Sequence, residues 1–537
     1  MTLALWCPIR ASRQGNPPSL TQKDTNPLCN PCMSLNYNFI WLLCYLLVLV
    51  GLAGYGFHRL SIVYLYWKNR NNKPQPKARF QELPVVTVQL PMFNEKFVVD
   101  RLLESVAALD YPQDKLEIQI LDDSTDDTTE QCYRKVEELK SRGFDAVCIH
   151  RTDRTGFKAG ALEAATKVAK GEFLLILDAD FVPEPDLLQK TIHFFTDENV
   201  GLVQTRWGHI NREYKLLTRI QGMYLDGHFA MEQTARNRSG RFFTFNGTAG
   251  IWRKCVIGDA GGWSHDTLTE DMDLSYRVQL KGWRFIYLND VVTPAELPVD
   301  MDGFKSQQHR WTKGSIQVCQ KILLDIWRSN APLKAKVEAT THLTCNYSYL
   351  LLALLCFLVY PICTQRIPEN ETVFMWFVNV ALFFMTSVAV CIFYMSAQIV
   401  VRPKSWWKEL PYLPLLLTLS VGMAVNNAKA VLEAIFGHQS AFVRTPKYGV
   451  DRKEDRRHVS QLKRNGYRAI KSVVIPVLEI ACGTFFLNLI IIMIRQGHYL
   501  SPILMIPFLG FYYTGFCSLG RMISNLLPAK QTAKAKN

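Results

Sequence analysis

"FLLILDADF", residues 173–181, runs five apolar residues into two aspartates separated by one alanine. A short apolar run bounded by polar residues reads as a strand buried on both faces, and its acidic end then lies at the strand's carboxyl edge. The same arrangement occurs upstream in "EIQILDDST", residues 117–125. Two further runs, "VVTVQL" (85–90) and "GLVQT" (201–205), complete four predicted strands, with helical stretches at 97–109, 126–142 and 158–169. Strand–helix alternation predicts a mostly parallel, doubly wound α/β sheet. Ligands of such sheets bind beyond the carboxyl ends of the strands, so the two acidic turns mark the crevice to inspect.

Asp122 and Asp123 follow one strand, Asp178 and Asp180 another. One such cluster reads equally well as a turn or a helix cap. Two that converge on one crevice repel each other unless a cation intervenes, and a hard divalent ion bridging carboxylates to substrate phosphates resolves the repulsion. Lys158, in "GFKAGAL", opens the intervening helix, where its ammonium and the helix N-terminus both favour an anion. Together these groups suit a nucleoside diphosphate. A third cluster, "TEDMD" (269–273), starts another helix; Glu270 and Asp271 there either complement the helix dipole or supply a general base.

The chain has 537 residues, of which 48% are hydrophobic and 20% charged, and a net charge of +14. Apolar runs at 39–57, 344–363, 373–400, 473–494 and 500–518 are long enough to cross a bilayer, and almost three hundred residues of globular composition lie between the first two. The expected protein is therefore integral to a membrane and carries one large soluble domain. Nucleic acid is excluded as the partner for the basic charge, because many basic residues flank the spans. Arg444, Lys447, Arg452, Lys453, Arg456, Arg457, Lys463, Arg464, Arg468 and Lys471 all precede the span at 473, which marks that segment as cytosolic. Placing 411–437 as an amphipathic helix in the interface keeps every basic cluster on the cytosolic side; a sixth span is the alternative. The 14 cysteines are dispersed, and "CNPC" (29–32) sits alone in a polar leader, as expected of a reducing compartment.

The ordered series "FNE" (93–95), "DDS" (122–124), "FKAGAL" (157–162), "DAD" (178–180), "FNGTAGIWR" (245–253), "TED" (269–271) and "QQHRW" (307–311) resembles the family 2 processive glycosyltransferases, and is similar to the cellulose synthase-like polysaccharide synthases among them. The resemblance implies a GT-A (Rossmann-like) cytosolic domain at 80–303, inserted between transmembrane helices. It implies that Asp122 and Asp123 hold the nucleoside, and that Asp178 and Asp180 flank the diphosphate and its Mg2+ or Mn2+. Asp271, beside Glu270, is then the base of a single inverting displacement. Gln307, Arg310 and Trp311 carry the QxxRW motif, with Arg310 at the diphosphate and Trp311 stacked on the terminal sugar. Asn246, Gly247 and Thr248 line the acceptor's path. "FVRTPK" (442–447) resembles the FxVTxK gating loop of bacterial cellulose synthase in Phe442, Thr445 and Lys447, with Val443 and Arg444 departing from it; Thr445 and Lys447 would close over the diphosphate. A basic surface loop is the plainer reading of that stretch.

The expected organisation is a leader (1–38), a first span (39–67), the catalytic domain, interfacial helices with "QQHRW" (304–335), two spans (344–400), the interfacial helix, a basic gating segment (438–472), two spans (473–518) and a basic tail (519–537). The leading functional expectation is a synthase that builds a β-glucan from UDP-glucose and threads it across the membrane. The alternatives are a β-mannan or glucomannan synthase using GDP-mannose, a single-transfer enzyme glycosylating a lipid, and a non-catalytic membrane scaffold. The expected location is the cell membrane, with the Golgi second; the sequon at Asn370 falls in the predicted external loop.

Overall fold

The structure, a computed structural model, describes residues 31–364, 381–382, 384–439, 445, 447–450, 473–496 and 502–526. Seven strands form one sheet: β1 (Val86–Met92), β2 (Leu116–Asp122), β3 (Asp145–His150), β4 (Phe173–Ile176), β5 (Val200–His209), β6 (Gly250–Arg253) and β7 (Arg284–Ala295), in the order β3-β2-β1-β4-β6-β5-β7. The four expected strands are present, and the helices between them run Val99–Ala107, Thr128–Ser141 and Phe157–Val168. β1 and β2 are buried along nearly their whole length, as parallel strands covered on both faces must be. Apolar cores cover both faces, one around Val88, Ile118 and Leu175, the other around Leu174, Trp252 and Leu274.

Three strands escaped the sequence reading for separate reasons. β3 is an edge strand that opens on an exposed aspartate, so its pattern is weak. β6 is four residues long and runs antiparallel to both neighbours, inside the "FNGTAGIWR" motif, which carries no strand expectation of its own. β7 pairs parallel with β5 but shifts register twice, and "LND" interrupts its apolar run.

Two helices, Ile40–Asn69 and Val474–Arg495, are long and apolar enough to cross a membrane among the described residues; two bent pairs bring the number to four if each is one span. One pair, Leu333–Thr344 with Tyr347–Pro361, bends by 53° and overlaps the expected span at 344–363. The other, Trp406–Gly422 with Ala424–Ile435, bends by 41° inside the helix expected to lie in the interface. Its first arm packs closely on the helix Pro502–Leu526: a Cβ added at Gly422 would lie 2.4 Å from the Gly510 carbonyl oxygen, so only glycine admits this approach. Asn370, Phe442, Val443, Arg444 and most of the 438–472 segment lie outside the described residues.

"QQHRW" lies within a 28-residue helix, Met301–Arg328, capped by the Asp300 carboxylate, which accepts from the Gly303 N–H. Lys305 of this helix is buried, and its Nζ donates to Glu479 Oε2 at 2.5 Å, to the Thr514 carbonyl at 3.1 Å and to Ser518 Oγ at 3.0 Å. The motif helix is thereby tied to the last two apolar helices. Removing one partner strands a buried charge, so Glu479→Ala should destabilise by about 3–5 kcal/mol. Thermal unfolding in detergent checks this, and an unchanged midpoint would show that the pair does not hold the helix.

Candidate active site

A cavity of about 180 Å³ opens beyond the carboxyl ends of β1, β2 and β4 and beneath the helix Met301–Arg328. Asp123, Lys158, Asp178, Asp180, Asn246, Gly247, Glu270, Asp271, Gln307, Arg310, Trp311, Thr445 and Lys447 all line it. Residues as far apart in sequence as Asp123 and Lys447 thus share one crevice.

Two expected site residues stand behind the wall instead. Asp122 is fully buried: its Oδ2 accepts from Thr129 Oγ1 and pairs with His150 Nδ1, both at 2.7 Å, while Oδ1 accepts from the Ser124 N–H at 3.1 Å. Asp122 does not line the cavity with Asp123; in this structure its hydrogen bonds brace the loop that presents Asp123. Thr248 is likewise buried, and its hydroxyl accepts the Asp178 N–H at 2.8 Å, fixing the turn that carries the two metal-candidate carboxylates.

Asp123 is held in a bidentate pair by Arg151, at 2.8 Å through Nε and 2.6 Å through Nη2. Lys158, the second residue of its helix, donates to Asp178 Oδ1 at 2.5 Å and to the Gly247 carbonyl at 2.8 Å. Burial works against the Lys158 charge, yet Asp178, Glu270 and Asp271 together hold its pKa above the ordinary lysine value. Gly247 adopts φ +79, and a Cβ there would stand 3.0 Å from Asp271 Oδ2, so glycine both permits the turn and leaves room for the carboxylate.

Asp271 lies in the first turn of the helix Glu270–Leu280. Burial, and then the neighbouring Glu270 charge, push its pKa up to about 7, against the Met272 N–H, Lys158 and Arg310, which favour the charged form. A carboxylate poised near neutrality in a cavity has the property a general base needs.

Trp311 packs against Leu225, Phe229 and Leu297. Phe181, Trp207 and Trp311 line one side of the cavity as an aromatic wall; Trp207 lies 5.1 Å, ring to ring, from Phe181 and 4.5 Å from the buried Phe229 behind it. Gln307 Oε1 and Thr445 Oγ1 are buried and have no hydrogen-bond partner among the described residues, which leaves them available to a bound sugar or phosphate.

Asp178 and Asp180 fit a hard cation. They lie on one turn, both line the cavity, and the Asp178 side chain is 36% exposed. Among the described residues no group of three or more metal-ligating side chains gathers anywhere. Two carboxylates suffice for Mg2+ or Mn2+ that completes its shell with substrate phosphates and water. Lysine ammoniums stand against both, Lys158 at Asp178 and Lys447 at Asp180, the latter at 2.6 Å.

Arg151, Arg154, Phe93, Trp207 and Glu296 were not anticipated. Arg154 stacks on Phe93, its guanidinium carbon 3.2 Å from the ring centroid, and both line the cavity. Two arginines within seven residues ahead of Lys158 were a usable sequence signal for an anion site. Glu296, in "AELP", had none.

The family described as "Glycosyltransferase like family 2" matches residues 84–314. Glucomannan 4-beta-mannosyltransferase 2 of Arabidopsis thaliana is 42% identical over 286 residues, covering 50% of this chain and 53% of that protein. Glucomannan 4-beta-mannosyltransferase 1 of Oryza sativa subsp. japonica is 41% identical over 277 residues, covering 51% and 53%. The chain thus spans about half the length of the curated relatives it matches. In fold it is similar to a mannosyltransferase from Pyrobaculum calidifontis solved in complex with GDP-Man and Mn2+, with a TM-score of 0.51 at 19% identity over 74% of this chain and all of that one. The expected GT-A architecture is borne out.

Proposed function

We propose that residues 84–314, which match the family 2 glycosyltransferase model, act as a glycosyltransferase domain that transfers mannose from GDP-mannose to the end of a growing β-linked mannan or glucomannan. The observation that carries the chemistry is the cavity that holds a near-neutral carboxylate, Asp271, together with Asp178, Asp180, Arg310 and Trp311. The choice of sugar rests on the relatives, both of which are named as 4-beta-mannosyltransferases. It replaces the earlier preference for UDP-glucose, since the motifs suit either donor and the relatives favour mannose.

In this reading the acceptor hydroxyl enters beside Asp271, which takes its proton as the oxygen attacks the anomeric carbon. The bond from that carbon to the diphosphate breaks, GDP leaves with the electron pair, and the new linkage is inverted. Lys158, Arg310 and Lys447 set positive charge around the departing diphosphate, and Gln307 and Trp311 hold the terminal sugar of the acceptor. Asp178 and Asp180 would hold Mg2+ or Mn2+, which when bound neutralises charge on the leaving group. The apolar helices beside the site give the product a membrane to cross, with the catalytic domain on the cytosolic side.

Incubating the membrane-embedded protein with labelled GDP-mannose or UDP-glucose tests the donor. GDP-mannose should be consumed faster; preferential consumption of UDP-glucose would overturn the assignment. Chelation with EDTA should reduce transfer to background and added Mn2+ or Mg2+ should restore it, whereas full activity in EDTA would remove the cation from the site.

A further inference from the structure

β7 ends at Ala295, and the next residue, Glu296, buries its carboxylate beneath the segment Lys447–Val450, leaving only 1% of its side chain exposed. Successive backbone N–H groups converge on it. Tyr448 donates to Oε1 at 3.0 Å, Gly449 to Oε2 at 3.0 Å and Val450 to Oε2 at 3.2 Å. A carboxylate removed from water is tolerated where donors surround it in this way. Arg101 adds a guanidinium 3.6 Å away.

The backbone of Glu296 reaches the reaction site from the same position. Its N–H donates to Asp180 Oδ2 at 3.1 Å, and its carbonyl accepts Lys447 Nζ at 2.8 Å, while that same ammonium donates to Asp180 Oδ2 at 2.6 Å. The segment is fixed from its other side as well: Tyr448 and Val450 pack into a small core with Tyr214 and Val299. Gly449 adopts φ +67, and a Cβ there would stand 2.9 Å from the Phe97 carbonyl oxygen, so the backbone can follow this path only with glycine.

We propose that Glu296 is a positioning residue: its carboxylate clamps the backbone of residues 448–450 and so holds the Lys447 ammonium at Asp180, where it meets the diphosphate end of the donor. The proposal rests on the reading of this cavity as a nucleotide-sugar site. It gives "AELP" a role in donor binding, exerted through Lys447 and without contact to the acceptor.

The test is a double-mutant cycle on the full chain in membranes, measuring KM for GDP-mannose and kcat separately. Glu296→Ala should raise KM by about 10- to 100-fold, the scale of losing charge-assisted hydrogen bonds, with a much smaller change in kcat. Lys447→Ala should raise KM at least as far, and in that background Glu296→Ala should add little further. Glu296→Gln keeps the size of the side chain and one acceptor oxygen, so it should fall between wild type and alanine, and it carries the test if the alanine variant fails to fold. An unchanged KM in Glu296→Gln and Glu296→Ala, or fully additive effects in the double variant, would overturn the clamp while leaving the donor site standing. An unchanged KM in Lys447→Ala would overturn the donor-site reading of Lys447 and the clamp with it.

Discussion

Asp271→Asn is expected to lower kcat by about 10²- to 10⁴-fold, the contribution typical of a positioned general base, while donor binding and the amount of folded protein are retained. Asparagine keeps the shape that fits against Gly247 and removes only the ability to take a proton. The wild-type pH profile should carry the same signature. Burial and the Glu270 charge raise the Asp271 pKa to about 7, so the carboxyl is largely protonated below that pH and cannot act as a base. The rate should therefore climb with pH through about 7 and level off above it, and the residual rate of Asp271→Asn should lack this limb. A variant as fast as wild type, or one with an unaltered acid limb, would move the base elsewhere. Glu270 is then the first place to look, since it lines the same cavity.

Trp311→Ala is expected to reduce chain extension by roughly 10- to 100-fold, corresponding to the ~1.5–3 kcal/mol gained by covering a large side chain with the acceptor sugar. Trp311 belongs to the aromatic wall with Trp207 and Phe181 and lies next to Arg310. It is only partly buried, so its loss should cost less stability than truncating a core tryptophan. The discriminating readout compares product length with donor KM. Short products at a nearly unchanged donor KM support stacking on the acceptor, and equal loss of both would count against it.

The acidic turns at Asp123, Asp178 and Asp271 were legible because strands and helix starts expose their terminal residues in a fixed direction, so composition at those points translates into position. Arg310 and Trp311 were legible only as part of an ordered motif set, since nothing in "QQHRW" itself announces a cavity whose paired carboxylates, Asp178 and Asp180, lie about 130 residues upstream. Asp122 looked equivalent to Asp123, and only the hydrogen bonds from Thr129 and Ser124 and the pairing with His150 separate the brace from the site residue. β6 was hidden because four residues are too few for a periodic signal, and its antiparallel direction is set by the neighbours it joins. Glu296 was hidden for a related reason: its partners lie about 150 residues away, and a lone glutamate before Leu-Pro carries no local pattern. The helix at 411–437 reads from sequence as one amphipathic interfacial helix, whereas the 41° break at its centre falls beside Gly422, where the chain approaches Gly510 closely.

The most direct measurement supplies labelled GDP-mannose to membranes containing the chain, separates chloroform-soluble from alcohol-insoluble product, and digests the insoluble fraction with an endo-β-mannanase. Processive mannan synthesis predicts that the label enters a large, insoluble product that the mannanase shortens. Label confined to the chloroform-soluble fraction, or an insoluble product that resists mannanase and yields only to a β-glucanase when UDP-glucose is supplied, would contradict it.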